Sequence, residues 1–262
     1  GSCSHPAIRF ERLPVVEGPL FGLERARPLI LSDVAKRTAF DLSHEDPEML
    51  LSEALYAERQ RLKRERPNTF TKRRFDGDRA LWSQVQAGLV QPAAQVSRNQ
   101  LVESVIEHFA EEIGGHFDKR VYDFSTRAVP YFFNWLLNAA SVRKFMPWGM
   151  IESLESRLNI VGEVPHLQKL ARKGTILLVP THQSNIDSPL VGYIIYLMGL
   201  TPFCYGAGLN LFSNPILSFF MSKLGAYTVD RQKNNEIYKH TLKNYSTRIL
   251  SEGIHSIFFP GG

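Results

Sequence analysis

Two residues of the stretch THQSNIDSPL (181–190) could carry proton-transfer chemistry: His182 and, five positions on, Asp187. A carboxylate that holds one imidazole nitrogen leaves the other as a proton acceptor near neutral pH, which is what a general base requires. Five positions correspond to about 140° on a helix and to opposite faces of a strand, so neither regular structure unites the pair. A turn through Gln183, Ser184 and Asn185 could, because Ser and Asn bond readily to local backbone. The stretch follows the apolar run TILLVP (175–180). The pair is therefore expected in a loop that leaves the carboxyl end of a strand and enters a helix, where α/β proteins place their ligands. The same residues allow a purely structural reading, in which Asp187 or Ser188 caps the helix that Pro189 begins.

Positioning such a loop needs strands and helices in alternation, and the second half of the chain supplies them. After Gly162 the sequence reads TILLVP, a helix over LVGYIIYLMG, TPFCYG, a helix over PILSFFMSKLG, AYTVD, a helix over NEIYKHTLKNYSTRILSEG, and HSIFFP. Short apolar strands separated by helices imply βαβ units, because parallel neighbours need a crossover. The expected fold class is α/β: a mostly parallel sheet with crossover helices, preceded by a mainly helical N-terminal region. Residues 1–45 show no sustained period and are read as an irregular segment. From Asp46 the pattern is helical to about residue 160. Asp46 is the expected N-cap, Pro47 the first helical position and Pro67 the stop. Leu101, Val105, Phe109 and Ile113 fall on one helical stripe that Gly114-Gly115 ends. Residues 161–262 form the expected α/β core, read as incomplete at its C-terminus.

Other chemistries find less support. The two cysteines, Cys3 and Cys204, are too far apart in kind and position to suggest a disulfide framework, which fits a reducing, cytoplasmic setting. The eight histidines are scattered, and no metal-ligand spacing or Walker sequence occurs, so no metal site is expected. His108 and His116 are read as sharing one helix at i+8, and His240 and His255 as lying on separate elements; all four are read as structural or solvent-facing. GAGLNL followed by AYTVD imitates a dinucleotide fingerprint, but Leu211 stands where the third glycine belongs.

The net charge of +5 is uneven: residues 1–160 hold 22 basic and 21 acidic side chains, and 161–262 hold 9 and 5. The C-terminal part thus favours anionic ligands or an anionic membrane face. The basic run RQRLKRERPNTFTKRRF (59–75) could bind a membrane surface or nucleic acid, or could be a solvated helix face. AVPYFFNWLLNAASV (128–142), flanked by Arg127, Arg143 and Lys144, suits either a helix at the headgroup boundary or a core helix. The uncharged span from Ser188 to Ser222 is interrupted by Pro202, Gly206, Gly208 and Pro215, which argues against a spanning helix.

With these blocks in view, THQSNID resembles the H-x-x-x-x-D block of the glycerolipid acyltransferases. AGLNL (207–211), GAYTVDR (225–231) and FFPGG (258–262) resemble that family's later blocks in the same order. The Gly-x-Asn-Leu and Gly-Gly forms are most like the glycerol-3-phosphate acyltransferase branch. The resemblance implies that His182 takes the proton from a glycerol hydroxyl, that Asp187 orients His182, and that the alkoxide attacks an acyl thioester directly. It implies that Arg231 holds the acceptor phosphate, with Asn210, Gly208, Ser184 and Gly261 completing the substrate site. On its own, Arg231 could equally be a surface arginine paired with Asp230. No cofactor is implied beyond acyl-CoA or acyl carrier protein as co-substrate. The implied partners are glycerol 3-phosphate and a membrane lipid surface, met peripherally at the cytoplasmic face, with no nucleic acid expected. Lysophosphatidate is the alternative acceptor. A basic surface-binding protein is the non-enzymatic alternative.

Overall fold

The computed structural model describes residues 13–67, 71–90, 97–139, 158–181, 187–209 and 222–259. Among these, the first half is helical: α1 (Leu23–Asp41), α2 (Pro47–Arg64), α3 (Lys72–Val90), α4 (Arg98–Ile113) and α5 (Lys119–Ala139). Local chemistry sets the boundaries. The Asp46 carboxylate accepts the Glu48 N–H at the start of α2, with Pro47 in the first turn. At α4 a capping box operates in both directions, Ser97 Oγ accepting the Gln100 N–H and Gln100 Oε1 accepting the Ser97 N–H.

Two expectations need correction. Residues 23–41, read as irregular, form a 19-residue helix. Its buried positions Leu23, Ile30, Val34 and Thr38 do follow a helical period, but Pro28 and the polar residues between them obscure it. His116 does not share a helix with His108, because α4 ends at Ile113 and Gly114 is its C-cap.

The second half alternates as expected: α6 (Val164–Ala171), β1 (Leu177–Leu178), α7 (Asp187–Leu197), β2 (Cys204–Gly208), β3 (Ala226–Val229), α8 (Glu236–Ser251) and β4 (Ser256–Ile257). The sheet order is β1-β4-β2-β3 and every pair is parallel, as crossover helices require. The expected helix over PILSFFMSKLG lies outside the described residues. No described helix is long and apolar enough to cross a membrane.

The sheet is covered on both faces, and the alternation of β2 shows how. Cys204 points into the core shared with α1, α2, α3, α4 and α8, whereas Phe203 and Tyr205 join a second cluster with α6 and α7. The first cluster runs without interruption from Val34, Trp82, Val105 and Phe109 to Ile237, Tyr245 and Ile249, so α8 of the α/β half packs inside the helical half. The stripe Leu101, Val105, Phe109, Ile113 is at most 2% exposed, which is why α4 stands at the centre.

Beyond α4 the chain runs directly along the entry to β3. Asp118 N–H donates to the Lys223 carbonyl, Gly225 N–H to the His116 carbonyl, and Phe117 bridges Leu224. Gly115 makes this approach possible: a Cβ there would stand 2.7 Å from the Ala226 carbonyl oxygen. Gly225 turns the chain into β3 with φ +85°, a conformation that favours glycine.

Candidate functional site

Parallel strands place all their carboxyl ends on one edge of the sheet. Leu178, Ile257, Tyr205 and Ala226 stand in register across the four strands, and the Gly208–Val229 pair lies farther toward that edge. Each block singled out in the sequence follows one of these strands in chain order: residues 181–187 after β1, Leu209 after β2, Asp230-Arg231 after β3, and Phe258 onward after β4. The strands bearing the first and third blocks are the outer two of the four, roughly 14 Å apart at ordinary strand spacing.

Of the expected site residues, Asp187, Gly208 and Arg231 are described, and His182, Ser184, Asn210 and Gly261 lie outside the described residues. Asp187 is the first residue of α7 and half-buried. Its position suits the helix-start reading, since a carboxylate is stabilised by the amide dipoles of a first turn. Gly208 is the last residue of β2, paired with Val229. Arg231 is exposed, on the turn that follows β3.

The alternative partner for Arg231 is ruled out by geometry. Asp230 is 2% exposed and its carboxylate turns inward, with Oδ1 accepting the Gln232 N–H at 2.9 Å and Oδ2 lying 3.6 Å from the Arg74 guanidinium. The Asp230 N–H donates to Tyr238 Oη at 2.7 Å. Among the described residues Arg231 makes no ion pair, and it remains directed outward.

Beneath it lies a buried ionic network. Lys233, whose side chain has no exposure, places Nζ 3.1 Å from Asp78 Oδ2 and against Glu112 Oε2. Arg61 pairs with Glu58 at 2.8 Å and with Asp78 and Glu65. Arg74 pairs with Glu112, His108 Nε2 lies 2.8 Å from Asp78 Oδ1, and Asn235 Nδ2 donates to Glu58 Oε1 at 3.2 Å. Asn235 also caps α8, its Oδ1 accepting the Tyr238 N–H. Three elements of the helical half, α2, α3 and α4, thus converge on the six-residue turn from Asp230 to Asn235.

Desolvation and pairing act oppositely in this network. Burial pushes Lys233 down to about 8 against the pull of Asp78, and raises Glu58 against Lys233 and Arg61. Burial would raise Asp78 too, but bonds from His108 and Lys233 and the Arg61 charge hold it well below the usual carboxylate range. Asp78, His108 and Glu112 bring ligand atoms within 4.8 Å of one another, a spacing that could suit a metal ion. The Lys233 ammonium occupies the space between Asp78 and Glu112, and Arg61 and Arg74 flank it, so the cation held there is a side chain.

Two further groups are structural. Cys204 is fully buried, its thiol donates to the Gly225 carbonyl at 2.8 Å, and burial pushes it up to about 12, far from a reactive thiolate. His255 Nδ1 accepts the Ile176 N–H at 3.1 Å, and burial lowers its pKa, so the ring is a neutral brace between β1 and β4.

Comparison with known proteins bears on the same part of the chain. The Acyltransferase family model matches residues 162–262. Over this segment the chain is similar to the acyltransferase family. Similar proteins include the glycerol-3-phosphate acyltransferase of Pseudomonas aeruginosa, 26% identical over 161 residues, covering 61% of this chain and 17% of that protein. The glycerol-3-phosphate acyltransferase of Shewanella putrefaciens is 29% identical over 170 residues, 64% of this chain and 18% of that protein. That of Pseudomonas fluorescens is 30% identical over 103 residues, 39% of this chain and 12% of that protein. The chain therefore spans less than a fifth of the length of these relatives. The first two matches are longer than the segment that the family model matches, so likeness extends into the first half of the chain.

The network residues were not foreseen as part of the site. Arg61 and Arg74 fall in the basic run 59–75, which the sequence presents as a solvated face or an anionic-surface binder; Arg61 is instead buried and Arg74 reaches inward to Glu112 and Asp230. A signal existed. Leu51, Ala54, Glu58 and Arg61 keep one helical face, as do Phe75, Asp78, Trp82 and Val85, so charges stand in register with core positions.

Removal of one member should expose the cost of leaving the others unpaired. Asp78→Asn is expected to lower unfolding free energy at neutral pH by on the order of 3 kcal/mol, read by urea denaturation. Because the folded-state pKa of Asp78 is depressed, its contribution is present above its unfolded value and is lost as pH falls through the folded one. The variant should therefore lose less stability than the wild type on acidification below about pH 4; an equal acid slope in both would refute this assignment.

Proposed function

We propose that the protein transfers a fatty acyl group from a thioester donor to the 1-hydroxyl of glycerol 3-phosphate, giving lysophosphatidate. The observation that carries this reading is the common sheet edge at which β1, β2, β3 and β4 end, each strand lying just ahead of one of the four blocks in the sequence. The names of the relatives agree with it.

In the proposed mechanism His182 accepts the proton of the 1-hydroxyl as its oxygen attacks the thioester carbonyl. Asp187 fixes the imidazole tautomer and stabilises the imidazolium. The tetrahedral intermediate collapses to an ester, and the thiolate leaves with the proton that His182 returns. No acyl-enzyme is needed, consistent with a Cys204 thiol that is buried and protonated. Arg231, exposed and with no carboxylate partner among the described residues, suits a phosphate dianion through charge-assisted hydrogen bonds. An extended arginine and a glycerol phosphate together can bridge much of the distance between the outer strands. The carrier of the acyl group is coenzyme A or acyl carrier protein.

The acyl chain and the product both partition into lipid, and α5 offers a surface for it. Arg120, Phe124, Arg127 and Tyr131 follow one another at i+3 or i+4 and are exposed, Phe124 at 59% and Tyr131 at 77%. Alternating basic and aromatic side chains suit the headgroup boundary of an anionic membrane at its cytoplasmic face. The opposite side of α5 packs through Val129 against Tyr193 and Leu197 of α7, the helix that Asp187 begins.

Two measurements test the reading. In the intact protein, His182→Ala should lower glycerol 3-phosphate-dependent thiol release from palmitoyl-CoA or palmitoyl-acyl carrier protein by roughly 100-fold or more. Release that requires lysophosphatidate instead would reassign the acceptor, and undiminished release in the variant would remove His182 as the base. Reversal of two charges, Arg120→Glu with Arg127→Glu, should weaken co-sedimentation with phosphatidylglycerol vesicles roughly tenfold at low salt. Unchanged sedimentation would exclude α5 as the membrane face.

A further inference from the structure

The turn after β3 is built in two registers. Asp230, Lys233 and Asn235 are buried, and Arg231, Gln232 and Asn234 are exposed. Together the buried members engage three elements of the helical half: Asp230 faces Arg74 of α3, Lys233 bonds Asp78 of α3 and Glu112 of α4, and Asn235 bonds Glu58 of α2. The Lys233 N–H also donates to the Asp230 carbonyl at 3.2 Å, closing the turn around Arg231. The ammonium also faces two rings, with Nζ 4.9 Å from the Phe109 centroid and 6.0 Å from that of Tyr238. A fully buried ammonium is expensive, and an apolar residue packed among Phe109 and Tyr238 would serve a purely structural role at lower cost.

We infer that Lys233 is a positioning residue for acceptor binding: tied to Asp78 and Glu112, it holds the turn so that Arg231 faces the substrate. The helical half thereby contributes to acceptor affinity without touching the acceptor. This rests on the reading of Arg231 as the phosphate ligand. A long arginine on an unrestrained turn would lose affinity to conformational entropy on binding, whereas one on a turn anchored at three points is oriented beforehand. The effect should fall on acceptor KM, because Lys233 acts on the turn after β3, whereas His182 follows β1 in the chain.

The test uses initial rates of the intact protein with glycerol 3-phosphate varied at saturating acyl donor. Lys233→Met is expected to raise KM for glycerol 3-phosphate roughly tenfold, with kcat and the donor KM within about twofold of wild type. Glu112→Gln, which keeps the volume and weakens the grip on the ammonium, should raise the same constant less. In an Arg231→Ala background, Lys233→Met should produce no further rise, because it acts through that arginine. An unchanged acceptor KM, a loss confined to kcat, or effects that multiply in the double variant would overturn the inference. So would failure of both single variants to fold, which would make the network a structural buttress alone. If the wild type fails to use glycerol 3-phosphate, the parent reading falls. The clamp is then judged by amide exchange at Arg231 and Gln232, which must quicken in Glu112→Gln if Lys233 holds the turn.

Discussion

A lysine ammonium with no access to water has to be surrounded by carboxylates, and in this protein that requirement fixes how the two halves of the chain meet. Lys233 lies on the turn after β3, and its partners Asp78 and Glu112 lie on α3 and α4. Arg61, Arg74, Glu58 and Asp230 complete a set in which each charge would be costly alone. The set is thus cooperative: α2, α3 and α4 must be assembled before the turn can adopt its shape, and the turn must be present before the carboxylates are balanced. Apolar packing gives the same linkage a larger area, since α8 lies in one continuous core with α1 and α4.

The strand served by this arrangement is β3, at one edge of the described sheet. Residues 116–118 hold its entry and the ionic network holds its exit. A short edge strand of four residues has little stability of its own. Fixing both ends gives the carboxyl edge a defined position for Arg231, across the sheet from β1. The helical half is therefore best understood as part of the site's scaffold. Taken alone, residues 162–262 leave the Lys233 ammonium without its carboxylate partners, Asp78 and Glu112.

The sequence made the α/β alternation legible because apolar runs such as TILLVP, TPFCYG and AYTVD are short, β-rich and punctuated by turn residues. It made α2 and α4 legible through their caps and, in α4, a clean apolar stripe. It concealed α1, where Pro28 lies inside the helix and burial is supplied by distant elements. Of the site, the ordered blocks could be read, since each is a local pattern. The network could not, because Lys233 sits in a turn with no periodicity, and its partners lie more than a hundred residues away in the chain. Charged residues on core-facing helical positions were the available clue. Such positions demand partners, but a single sequence does not say which.

The most direct measurement is hydrogen exchange of the intact protein with and without saturating glycerol 3-phosphate. The expected result is added protection in two segments distant in sequence, the turn spanning 229–235 and the loop spanning 178–187, with little change in α1. Protection of neither segment, or of the second alone, would contradict the placement of the acceptor phosphate at Arg231 on the carboxyl edge of the sheet.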